Sequence, residues 1–179
     1  MGDLKLGQFA GLDVTAAPSA VAGTVVAWVA FGAIGWAVFH AGALESVAGG
    51  FGLALLYWLS ELVHQTGHSI SARAVGKPMT GVRLYILVGM SIYPTDEGEV
   101  TPQQDLRRAV GGPLMSLCVT IGLVVITAVL IVFGLPGAWL LTVLTLANLL
   151  VFTLGALLPL GFNDGSSIIS ALRARRAAP

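Results

Sequence analysis

The stretch ELVHQTGHS (Glu61 to Ser69) places two histidines, His64 and His68, four residues apart. On a helix turning about 100° per residue they lie about 40° from each other, with Glu61 close to the same stripe. Imidazoles on neighbouring turns can reach one metal ion, as they do in the helical motif H-E-x-x-H. That motif carries a glutamate after its first histidine, and here the position holds Gln65. An amide has the shape of the carboxylate but cannot take a proton from water. The pattern therefore reads in two ways, as a metal-dependent hydrolase without its general base or as two histidines hydrogen bonding across a helix bundle.

Two histidines are an incomplete set, because catalytic zinc sites use three protein ligands and keep a fourth position open for water. One acid lies near the end of another apolar run: Asp164, in LLPLGFNDGSS. Asn163-Asp164-Gly165 is also good turn chemistry, so from spacing alone Asp164 is equally a ligand or a turn residue. Glu61 sits one turn before His64, a better place from which to orient that imidazole than to act as its base. Gly67, between the histidines, leaves room for a second backbone to come close.

These residues must be positioned by membrane helices. Of the 179 residues 56% are hydrophobic and 10% charged, and the mean hydropathy is +0.88, too apolar for a solvated surface. A hydrocarbon layer of about 30 Å needs roughly 20 apolar helical residues per span. Four runs qualify: Val21–Phe39, Phe51–Ser71, Leu114–Phe133 and Ala138–Leu160. The second holds Glu61, His64, Gln65 and His68 at membrane depth, where ionisable groups are costly and mark function. The first run starts 20 residues in with Lys5 as its basic flank, unlike a signal peptide, and reads as a retained helix.

Four spans put the N-terminus, the segment from Arg73 to Arg108 and the C-terminus on one side, and all nine Lys and Arg residues fall there. The positive-inside rule makes that side cytoplasmic. Net charge is zero and the basic residues are dispersed, which argues against nucleic acid as a partner. The lone Cys118 lies in the third run and permits no disulfide framework.

Between the second and third runs, Val82 to Tyr93 is rich in β-formers and broken by Gly89, which predicts one or two short strands. A further β-like piece is expected within residues 8–18, and the tail from Ser166 predicts a short amphipathic helix. The fold class is thus membrane all-α, four transmembrane helices with a short membrane-associated strand region between the second and third, over one domain spanning 1–179.

The motifs resemble those of the site-2 proteases, the intramembrane zinc metalloproteases. ELVHQTGHSISARAVG is similar to their H-E-x-G-H helix, with Gly67 matching the glycine. LLPLGFNDG is similar to their second motif, in which a D-G pair after a proline supplies the third ligand, and Pro159, Asp164 and Gly165 match. LRRAVGGPLMSL resembles the G-P segment that opens their next span, and AGLDVTAAPS the strand that enters their first helix.

The resemblance implies one zinc ion per chain on His64, His68 and Asp164, with Gln65 in the place of the base and Glu61 and Asn163 as supporting residues. It implies cleavage of transmembrane segments of single-span proteins, such as anti-sigma factors or membrane-bound regulators, from a multi-pass protein of the inner membrane. Gln65 leaves that activity impaired, and the alternative is a pseudoprotease scaffold that binds transmembrane helices without cutting. Two origins fit Gln65, a lineage that lost cleavage or a Glu→Gln substitution that holds the substrate-binding state, and the completeness of the remaining motifs favours the second. Departures from the family pattern are Ser116, where asparagine is common, Asn163 before Asp164, and no sign of an appended regulatory domain. A substrate must be locally unwound to be cut, and the strand region could receive it as an added strand through Val82, Leu84, Ile86 and Val88; alternatively that region merely covers the site.

Overall fold

The computed structural model describes residues 2–177. Two strands come first, β1 (Leu4–Phe9) and β2 (Leu12–Ala16), and lead into α1 (Pro18–Phe39). Proline at the start of α1 costs nothing, since the first helical N–H has no intrahelical partner. Next come α2 (Ala43–Ala74), a hairpin of β3 (Gly81–Tyr85) and β4 (Val88–Ile92), and α3 (Pro102–Val132). The chain then forms α4 (Ala138–Ala147), which continues as a π-helix over Asn148–Gly155, and α5 (Asp164–Ala177).

Four helical segments are long and apolar enough to cross a membrane: Pro18–Phe39, Ala43–Ala74, Pro102–Val132 and Ala138–Gly155. They make the chain a multi-pass membrane protein and lie where the apolar runs require them. Residues such as Val25, Val29, Ile121 and Val125 remain exposed on their outer faces, as expected where lipid is the solvent. Inside the bundle, small and polar residues hold the spans together. Gly67 of α2 packs against Gly111 of α3 so closely that a Cβ on either would overlap the other's carbonyl oxygen. Hydroxyl pairs Thr127–Thr145 (2.9 Å) and Thr120–Thr153 (3.2 Å) join α3 to the last span, and Asn148 donates to Ser60 Oγ of α2 at 3.0 Å.

The strand region is larger than the sequence reading supposed. It is one four-stranded sheet in the order β1-β2-β3-β4, half of it built from the N-terminus. β1–β2 and β3–β4 are antiparallel, whereas β2 pairs with β3 in parallel, Val14 opposite Val82. A parallel pair needs a long crossover, and α1 with α2 supplies it. Gly89 does not interrupt the β3–β4 hairpin; it lies within β4 opposite Leu84, and the turn falls at Ile86 and Leu87. That tip is held among the helices: Tyr57 of α2 donates to the Leu87 carbonyl at 2.7 Å, and Gly23 of α1 presses on the Ile86 carbonyl, where a Cβ would overlap it.

The sheet corrects two expectations about peptide docking. Val82 and Leu84 are buried in the apolar cluster with Leu12, Val14, Ala72 and Met79, and β3 is paired on both sides. Neither residue can offer backbone to an added strand. Ile86 is in the turn, and Val88 alone of the four lies on β4, one of the sheet's two edge strands.

Candidate metal centre

α2 presents His64 and His68 to the bundle interior, both buried. The loop after the last span brings Asp164, the first residue of α5, against them. His64 Nε2 lies 3.1 Å from Asp164 Oδ2, His68 Nε2 3.2 Å from Oδ1, and the two Nε2 atoms are 3.0 Å apart. Among the described residues this is the group of His and acidic side chains able to share a metal ion. A sequence separation of 100 residues between His64 and Asp164 is closed by tertiary structure.

The remaining nitrogens are fixed from α3. His68 Nδ1 donates to the Arg108 carbonyl at 2.8 Å, and His64 Nδ1 lies 2.8 Å from Ser116 Oγ. A carbonyl can only accept, so His68 carries a proton on Nδ1 and, when neutral, turns a bare lone pair inward. With Ser116 accepting from His64, both Nε2 lone pairs and a carboxylate face one point. Three acceptors at such spacing repel unless a cation lies between them. Ligands at about 2.0–2.1 Å from a tetrahedral zinc stand roughly 3.3 Å from one another, close to the separations found here.

The cradle is also kept clear. A Cβ on Gly112, at the start of the G-P segment of α3, would fall on the Nε2 atoms of both histidines. Residue type and geometry therefore both fit a metal ion.

Asn163 holds the loop rather than the metal group. Its amide donates to the carbonyls of Gly155 and Ala156 (3.1 and 3.4 Å) and to that of Leu158, and its oxygen accepts from Leu160 N and Ser166 Oγ. This ties the end of the π-helix to the start of α5 and so places Asp164. Arg108, whose carbonyl anchors His68, is buried; its guanidinium pairs with both oxygens of Glu97 at 3.2 Å and lies 3.4 Å over the Tyr93 ring.

Glu61 does not orient His64, which corrects the expected supporting role. Its carboxylate accepts from Gln65 Nε2 at 2.9 Å, while Ser116 occupies His64 Nδ1. Gln65 in turn donates to the Gly89 carbonyl of β4 at 3.1 Å and accepts from Ser91 Oγ at 2.8 Å. Ser116 and Arg108 are the residues that sequence reasoning missed. Ser116 was visible only as a departure from the family's asparagine, and Arg108 acts through its backbone, which no side-chain motif records. Beside the metal group opens a cavity of about 690 Å³, lined by Val88, Gly89, Met90 and Ser91 of β4 and by Phe152 and Phe162 across from them.

A membrane bundle that closes around a His–His–Asp group from two helices, α2 and α5, defines an architecture shared with known proteins. The chain superposes on the site-2 protease from Methanocaldococcus jannaschii with a TM-score of 0.69 at 21% identity, covering 99% of this chain and 74% of that one. The chain has the site-2 protease fold, which is the fold that the motif resemblance implies. It is also 30% identical over 121 residues to a Synechocystis sp. protein provisionally named a zinc metalloprotease, an alignment covering 66% of this chain. The aligned part spans 30% of that relative's length. No family model matches the chain.

Proposed function

We propose that this protein is an intramembrane zinc metalloprotease of the site-2 type, acting on the transmembrane segments of single-span membrane proteins of the anti-sigma factor or membrane regulator class. One observation carries the reading: the inward convergence of His64 Nε2, His68 Nε2 and the Asp164 carboxylate, with their outer nitrogens fixed by Ser116 and Arg108. Zinc held there supplies polarisation of the scissile carbonyl and acidification of a water towards a pKa of about 7. The chain's own residues do the rest. The cavity beside the metal group leaves room for a peptide, and edge strand β4 offers backbone to an unwound one. No proton acceptor stands at position 65, and loss of a general base costs about 10²–10⁴ in rate.

In this reading the basic residues, gathered at the site's end of the bundle, support a cytoplasmic side there by the positive-inside rule, with release of products towards the cytoplasm and cytoplasmic termini in an inner-membrane protein. A second reading, a scaffold that binds transmembrane helices without cutting them, draws support from Gln65, whose amide is matched on every side. The test has two arms. Purified protein in detergent should hold one zinc per chain, lost in His64→Ala and in Asp164→Ala, as read by elemental analysis. With zinc present, Gln65→Glu should raise cleavage of a membrane-embedded single-span substrate by about 10²-fold or more. No zinc sinks both arms of the protease reading, and zinc without gain of cleavage leaves the scaffold.

A further inference from the structure

Gln65 is buried, and none of its hydrogen bonds goes to the metal group. Nε2 donates to Glu61 Oε1 (2.9 Å) and to the Gly89 carbonyl (3.1 Å), and Oε1 accepts from Ser91 Oγ (2.8 Å). Both donors and the acceptor are therefore satisfied, one by its own helix and two by β4. The contact is close: a Cβ on Gly89 would come within 2.5 Å of Glu61 Oε1 and 3.2 Å of Gln65 Nε2. Gly89 and Ser91 line the cavity and belong to the edge strand. A glutamate at position 65 could donate to neither Glu61 nor the Gly89 carbonyl unless it were protonated, and would set a carboxylate against both acceptors.

We propose that Gln65 is a latch. Its amide holds the edge strand β4 onto α2 and competes with an incoming peptide for the Gly89 carbonyl, so residue 65 sets how readily that edge accepts backbone. Glu61 is the partner that orients the amide, and Ser91 is its second fastening on the strand. The inference rests on the reading that β4 receives the substrate, and it gives position 65 a positioning role separate from proton transfer. It also means that Gln65→Glu changes two properties at once, adding a base and opening the latch.

Hydrogen exchange on the full, metal-free protein in detergent tests the latch without activity or zinc. Loss of two hydrogen bonds in Gln65→Ala should speed exchange across residues 88–92 by about tenfold or more. Ser91→Ala, which removes one and leaves the helix untouched, should speed it a few-fold. Exchange in residues 4–16 should not move. Unchanged rates at 88–92 in both variants overturn the latch, and so does an equal rise in residues 4–16, which would report general loosening. In a second arm, a photoreactive group at Val88 is used to capture a synthetic single-span Leu/Ala peptide with a central Asn-Pro. Capture should rise several-fold in Gln65→Ala, and equal capture with faster exchange overturns the competition. Because the exchange arm involves neither metal nor peptide, it stands or falls apart from the protease reading.

Discussion

The two sides of the cavity satisfy their polar groups in opposite ways. On the side of His64, His68 and Asp164, three groups converge within reach of one cation. On the side of Glu61, Gln65, Gly89 and Ser91, each donor already meets an acceptor. The first arrangement suits a cation; the second is complete in itself and yields only to a competitor. Both draw on the same two turns or so of α2, Glu61 to His68, so adjacent residues, His64 and Gln65, serve different ends. The difference teaches that Gln65 is more than the absence of a proton acceptor: its amide and its oxygen are hydrogen bonded to β4.

Variants that touch one side should leave the other intact. The largest effect is expected from Gly112→Ala, whose added methyl occupies the space between the histidines. Stoichiometric zinc should be lost altogether, while exchange protection at residues 88–92 stays as in the parent protein. Zinc retained at one per chain would break the assignment of that space to the ion. Ser116→Ala should come next, weakening zinc about 10- to 100-fold, the usual cost of removing a group that orients a metal-binding imidazole. Competition with a chelator of known affinity measures this. Asn163→Ala should have the smallest effect, weakening zinc by roughly five- to tenfold through a less well placed Asp164, since net hydrogen bonds are each modest. A Ser116 effect smaller than that of Asn163 would show that the loop, and not the α3 contact, governs the centre.

How much of this was legible in the chain varies by element. Apolar runs of membrane length gave the four spans, because burial of backbone in lipid leaves helices as the open solution. His64 and His68 could be paired from their spacing, since a helix has one periodicity. Asp164 stayed open between ligand and turn residue until the motifs were compared with a family, because no periodicity connects a loop to a helix 100 residues away. The strand region was found but its edge was not. Alternation cannot say which strand is covered, and here β2 arrives from the N-terminus to pair with β3 and pushes Val82 and Leu84 into the core. Glu61 was misassigned for a related reason: its stripe on α2 was right, but a neighbour from β4 and an amide one turn on drew the carboxylate away from His64.

The sequence by itself determined that the protein spans a membrane four times and that two imidazoles share one buried helical face, because length, hydropathy and helical period act locally. Tertiary structure alone decided that Asp164 closes the group, that Ser116 and a backbone carbonyl of Arg108 turn the lone pairs inward, and that Gln65 faces a strand and not the metal. These are meetings between segments distant along the chain, and their partners are fixed by packing and by the demand that buried polar groups be satisfied.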